Sequence, residues 1–92
     1  MEMLGLQDLE NMTFSEIVAR NAQIRFSLHD YEFEMCVENA AEDDVYDYRV
    51  LIYLRWTTNT PIVEYGITAQ ANDLFGYDYT SEAQDAALSN LP

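Results

Sequence analysis

The chain has no lysine. Its basic side chains are four arginines, Arg20, Arg25, Arg49 and Arg55, set against 17 acidic residues and one histidine, for a net charge of −13 over 92 residues. A shortage of cations this severe excludes a direct binder of DNA or RNA, whose affinity comes from replacing phosphate counterions with clustered lysine and arginine. It also excludes attraction to an anionic membrane. Cysteine is nearly as scarce. Cys36 stands alone, so no internal disulfide can form, and a reducing, cytoplasmic setting is expected. The longest apolar run, Val50 to Leu54, falls far short of the roughly 20 residues of a membrane span. The first residues include acids and no basic stretch, so no signal peptide is expected, and the Asn11-Met12-Thr13 sequon reads as chance. There is no glycine-rich phosphate loop, internal repeat or linker.

What is present is enough apolar material for a core. The hydrophobic fraction is 49% and the aromatic fraction 13%, which excludes a charge-rich disordered tail. One domain, residues 1–92, is the expected organisation. A domain this small buries roughly 60–70% of its unfolded surface, and self-repulsion opposes its compaction.

The pattern of apolar positions is legible along most of the chain. Leu6 and Leu9 predict a short helix near residues 4–11. Thr13-Phe14-Ser15-Glu16 forms a capping box for a second near 14–21, with Met12 and Ile17 at hydrophobic-staple spacing. Residues 23–38 alternate, with one change of phase: Ile24, Phe26 and Leu28 are apolar at even positions, then Tyr31, Phe33, Met35 and Val37 at odd ones. A two-residue turn at His29-Asp30 explains the flip and sets Arg25 opposite Glu34. A third strand from Val45 to Trp56 has an apolar face at Tyr46, Tyr48, Val50, Ile52, Leu54 and Trp56. Joining apolar faces predicts Val37 opposite Tyr46 and Phe33 opposite Val50, with Glu34 facing Arg49. A fourth strand near Val63 to Ala69 then pairs Trp56 with Val63 and Ile52 with Ile67, Arg55 with Glu64, and lays Tyr53 over Gly66. Residues 70–79 read as irregular. Ser81 and Gln84 have capping-box spacing for a last helix, with Ala83, Ala87, Leu88 and Leu91 toward the sheet. The expected fold is α+β: a four-stranded antiparallel meander with N-terminal and C-terminal helices packed on one face.

The charge is then concentrated by the pairing. Most cations are expected to be taken up by carboxylates on the outer sheet face. The candidate partner-binding residues are Asp30, Glu32, Glu34 and Glu38 along the second strand and its turn, and Glu42, Asp43, Asp44 and Asp47 across the next loop. Asp73, Tyr77, Asp78 and Tyr79 join them near the C-terminus, where Glu82 and Asp85 extend the acidic group. Glu2, Asp8, Glu10 and Glu16 make a third acidic group. Carboxylates two apart on a strand stand roughly 6.5–7 Å apart, close to successive phosphates of one nucleic-acid strand. A charge of −13 also exceeds the ~2–8 units that keep a small domain soluble. Such a surface suits a strongly basic partner, and the commonest basic surfaces are those that bind nucleic acid.

In size and acidity the chain resembles the small acidic proteins by which phages block host nucleic-acid-binding defences, the anti-restriction and anti-CRISPR inhibitors. The resemblance lies in composition and carries no residue over. It implies a non-enzymatic inhibitor in the bacterial cytoplasm, binding a basic nucleic-acid-binding protein partly as a DNA or RNA mimic. The alternative is an accessory interaction module or homodimer acting through a sheet edge and an aromatic patch. Catalysis is not expected, since Cys36 and the turn residue His29 fall far apart along the hairpin. No cofactor or metal is expected. The Glu42–Asp47 loop lacks the glycine and ligand spacing of an EF-hand, leaving only adventitious ion binding.

Overall fold

A computed structural model of the chain describes residues 2–40, 45–57, 59–69 and 73–92. In chain order the elements are β1 (Met3–Leu4), a 3-10 helix (Leu6–Asn11), α1 (Phe14–Ala19), β2 (Gln23–Leu28), β3 (Tyr31–Asn39), β4 (Tyr48–Leu54), β5 (Val63–Ile67) and α2 (Gly76–Ser89). The strands form one sheet in sequence order, β1-β2-β3-β4-β5. The α+β class is as expected, but the sheet is five-stranded and mixed. β1 runs parallel to β2, with Met3 beside Gln23 and Leu4 beside Ile24. Two residues are too short to show an alternation, so this strand leaves no periodic signal.

The β2–β3 hairpin has the expected register, with Ile24 opposite Met35, Arg25 opposite Glu34, Phe26 opposite Phe33 and Leu28 opposite Tyr31. His29 and Asp30 close it with positive φ at both positions, 48° and 68°. That is the left-handed pair of a two-residue type I′ turn, whose twist matches the flanking strands.

The next two pairings differ from expectation by four residues. Val37 faces Val50 rather than Tyr46, and Ile52 faces Val63 rather than Ile67. An even slip leaves every side chain on its own face, so hydrophobic alternation cannot detect it. The cause is the length of β4, which spans Tyr48–Leu54 instead of Val45–Trp56. Asp47 belongs to the connection and clasps it. Its carbonyl accepts from Ala40 N–H, its N–H donates to the Ile67 carbonyl, and its Oδ2 accepts from Ala69 N–H at 2.9 Å. Tyr46 consequently leaves the core. Its ring lies over Gly66, where a Cβ would collide with it. The expected aromatic cover of the strand glycine exists, supplied by Tyr46 and not Tyr53.

One face of the sheet carries the core. Ile24, Phe26, Phe33, Met35, Val37, Val50, Ile52, Leu54, Val63 and Ile67 pack with Leu9, Met12, Phe14 and Ile17 from the N-terminal helices and with Phe75, Ala83 and Ala87 at α2. Phe14 is the hub, with ring centres of Tyr48, Phe75 and Tyr79 at 5.2, 5.1 and 5.1 Å. The Thr13–Glu16 capping box forms as expected. The Thr13 hydroxyl accepts from Glu16 N–H, and the Glu16 carboxylate accepts from Thr13 N–H, both at 3.2 Å.

The last helix begins five residues before the expected Ser81 cap. The chain enters it through Gly76 at φ 61°, a conformation that glycine adopts without penalty. Thr80 lies inside the helix, buried, and its hydroxyl donates to the Gly76 carbonyl at 2.6 Å. Just upstream, Phe75 N–H donates to the Met12 carbonyl, tying the start of α2 to the cap of α1.

Replacing the turn dipeptide by His29→Asn with Asp30→Gly should stabilise the fold by about 1 kcal/mol, since these residues take left-handed φ most readily. A thermal melt should show Tm rising by about 4–8 °C. An unchanged or lower Tm would contradict the type I′ assignment.

Candidate partner-binding surfaces

Among the described residues no helix lies on the outer face of the sheet, which carries most of the cations. Arg25 Nη2 lies 3.0 Å from Glu34 Oε1. Arg55 Nε reaches the same oxygen at 3.5 Å while its Nη1 lies 3.5 Å from Glu32. Arg49 bridges Glu38 at 3.1 Å and Glu64 at 3.5 Å. Glu34 is indeed shared by two arginines, but the second is Arg55 rather than Arg49. Arg55 pairs with Glu32 and Glu34 rather than Glu64. The sequence expectation left Glu32 and Glu38 without partners; both are corrected to arginine-bound. The register explains this, because Glu38 stands directly opposite Arg49, and Arg55 N–H donates to the Glu32 carbonyl at 2.9 Å.

Three guanidiniums against four carboxylates leave the outer face one charge short of neutral. Arg20 cancels Glu2 at 3.2 Å. Among the described residues, the nine other acids, Asp8, Glu10, Glu16, Asp30, Asp47, Asp73, Asp78, Glu82 and Asp85, lie in the β2–β3 turn, the connections and the helical layer. On α2, Asp78, Glu82 and Asp85 are exposed at i, i+4 and i+7, which places them along one side of the helix. Asp8 and Glu10 on the 3-10 helix and Glu16 on α1 are exposed in the same layer. Among the described residues, no ion pair reaches Glu10, Asp78, Glu82 or Asp85. Glu16 is held below the usual carboxylate range by hydrogen bonds from the Thr13 backbone and hydroxyl.

The other candidates separate in the same way. Asp30 is exposed in the β2–β3 turn, Asp73 is half-buried before α2, and Asp47 is engaged in closing β4 onto β5. Glu42, Asp43 and Asp44 lie outside the described residues. Tyr77 stands on α2 with 73% of its surface exposed, whereas Tyr79 is half-buried in the Phe14–Phe75 aromatic cluster and belongs to the core.

Sequence reasoning missed Trp56. It was expected on the core face opposite Val63. Instead it follows β4 in the turn, 83% exposed and at φ 68°. A left-handed conformation costs a bulky residue on the order of 1–2 kcal/mol. The ring has two contacts: its Nε1 donates to Glu32 Oε2 at 3.4 Å, and the Arg55 guanidinium lies 4.4 Å from its centre. The ring forms one wall of a groove of about 720 Å³ in the outer face, lined also by Gln23, Arg25, Glu34, Cys36, Tyr53 and Arg55.

Cys36 is half-buried on this outer face opposite Leu51. Burial, then the Glu38 and Glu34 charges, push its thiol pKa above the ordinary value, which disfavours the reactive thiolate. His29 sits in the turn, seven residues away along an extended hairpin, or about 20 Å. Among the described residues, no group of three or more metal-ligating side chains converges. No helix among them is long and apolar enough to cross a membrane.

No protein-family model, no curated protein and no solved structure matches this chain.

Two predictions follow the charge. Glu34→Gln removes the carboxylate that two arginines share and should lower stability by about 1 kcal/mol, whereas Glu82→Gln should leave stability unchanged or raise it by relieving repulsion. Urea titrations of the two variants in parallel would expose equal effects, which would contradict the segregation of paired from unpaired acids. The second concerns Tyr65 on β5, whose buried hydroxyl has no hydrogen-bond partner among the described residues. Burial, then the Glu82 charge, raise its pKa far above the ordinary 10.0. The folded chain keeps this proton where the unfolded chain gives it up, so stability is lost as pH rises above about 10. Tyr65→Phe should match or exceed the parent at neutral pH and lose less stability in alkali; the same alkaline slope in both proteins would rule this out.

Proposed function

We propose that this chain is a non-enzymatic inhibitor that docks on the basic surface of a nucleic-acid-handling protein, partly as a DNA or RNA mimic, in the manner of phage anti-CRISPR and anti-restriction proteins. The observation that carries the reading is the division of charge. Every arginine is committed to a carboxylate, and among the described residues the acids that no ion pair reaches include Glu10, Asp78, Glu82 and Asp85 in the helical layer and Asp30 in the turn. This arrangement favours α2 over β3 as the mimicking element. Side chains three and four apart on a helix stand about 6 Å apart. Successive phosphates of one strand combine about 3.4 Å of axial rise with a sideways helical step, which is comparable. Asp78, Glu82 and Asp85 supply such a row, and exposed Tyr77 beside it supplies rigid contact area. The helix holds the row rigid, so ordering it on a partner costs little entropy. A second reading, an interaction module working through its sheet, is favoured by the exposed Trp56.

The test is capture of partners from a bacterial lysate followed by elution with a salt gradient. The mimic reading expects a nucleic-acid-binding protein that leaves as salt rises and is displaced by added DNA or RNA. The triple variant Asp78→Asn, Glu82→Gln, Asp85→Asn should weaken that capture at least about tenfold at low salt while its circular dichroism is unchanged. Retention that is flat with salt, or that ignores the triple variant, would sink the assignment.

A further inference from the structure

The outer sheet face joins three features that the inhibitor reading does not use. It carries a projecting aromatic side chain, Trp56, in contact with Arg55 and Glu32. It carries a groove of about 720 Å³ of which Trp56 forms one wall, the rest of the lining including Gln23, Arg25, Cys36 and Tyr53. And it is the part of the protein where positive and negative groups nearly balance.

We propose that this face is the contact between two copies of the chain, related by a two-fold axis, with Trp56 of each copy seated in the groove of the other. A two-fold contact requires a surface that is complementary to itself, so a projection and a recess must lie on the same patch. Trp56 and the groove meet that requirement. Charge selects the occupant. Each copy carries −13, and an approach through the helical layer would bring Glu10, Asp78, Glu82 and Asp85 of the two copies together. On the outer face, three arginines and four glutamates form a mosaic that a second copy can meet with opposite signs. Met3, Tyr46, Tyr53, Trp56 and the arginines are residue types enriched at protein interfaces, and the four glutamates among them are already paired with arginines. A standard interface takes about 800 Å² from each partner, a modest share of the 5668 Å² surface of this chain.

The full chain is tested by sedimentation over a wide concentration range at low and high salt, with the emission of its single tryptophan followed on dilution. A dimer should form at high concentration and tighten as salt screens the repulsion, the opposite of the salt response expected for a basic partner. This keeps the two readings separable. Trp56 emission should shift to the red as the dimer dissociates. Trp56→Gly, which relaxes the left-handed backbone, should weaken the dimer at least about tenfold. Gln23→Glu, which adds charge to the groove without touching an arginine, should weaken it independently, so the test survives if either variant folds poorly. Tyr77→Ala on α2 should have no effect. A monomer under all conditions, or a dimer indifferent to both Trp56→Gly and Gln23→Glu, overturns the proposal. So does a monomer whose Trp56 emission responds instead to an added oligo-arginine peptide, an outcome that gives the face to a basic partner.

Discussion

Four guanidinium groups set the electrostatic order of this protein. With so many carboxylates on a small domain, each arginine is worth most where two or more acids can share it. Arg49 and Arg55 each bridge two glutamates across strands, and Glu34 is held by two arginines. The guanidinium fork suits this role, because its donors point along several directions at once and its charge persists at any ordinary pH. A lysine would offer a point charge with less geometric reach. The mesh ties β2, β3, β4 and β5 together on the side that no helix among the described residues covers. Individually such half-exposed pairs contribute little. Collectively they decide which surface is nearly neutral and which is acidic.

The core is built on the opposite principle. Strict alternation sends one set of side chains inward, and Phe14 joins α1, β4 and α2 through ring contacts near 5 Å. The two terminal segments are also tied directly to each other: Phe75 N–H donates to the Met12 carbonyl beside the Thr13–Leu74 bridge. The acidic helical layer is therefore held at both ends by apolar packing, and its charges can repel one another without separating the helix from the sheet.

Most of the fold was legible in the residues because period-two alternation and the Thr13 capping box are local signals with one reading each. The β2–β3 register was legible because a phase flip around His29-Asp30 admits a single hairpin. The next register was not, since parity permits any even slip and the charges were nearly degenerate: Arg49 can face Glu34 or Glu38. A discriminating signal was nevertheless there. The observed register brings Arg49 to Glu38 and Arg55 to Glu32 together, whereas the expected one satisfied a single pair across these strands. The acidic row of α2 was hidden by the misplaced cap at Ser81. Once the helix starts at Gly76, Asp78 joins Glu82 and Asp85 on one side. Trp56 was hidden by its own chemistry, because an aromatic residue that continues an alternating strand reads as core, and nothing local marks a left-handed turn there.

The choice of arginine on one face and bare carboxylates on the other makes the molecule's polarity depend on acidity in an asymmetric way. Protons can neutralise a carboxylate but can add nothing to a guanidinium. In strong acid the helical layer fades toward neutrality, while Arg25, Arg49 and Arg55 lose their counter-charges and are left as three bare cations. The nearly balanced face thus holds three of the four guanidinium cations that remain, while Arg20 at the end of α1 is the fourth. A protein with a large excess of acids carries, folded into its sheet, the means to present itself as a cation.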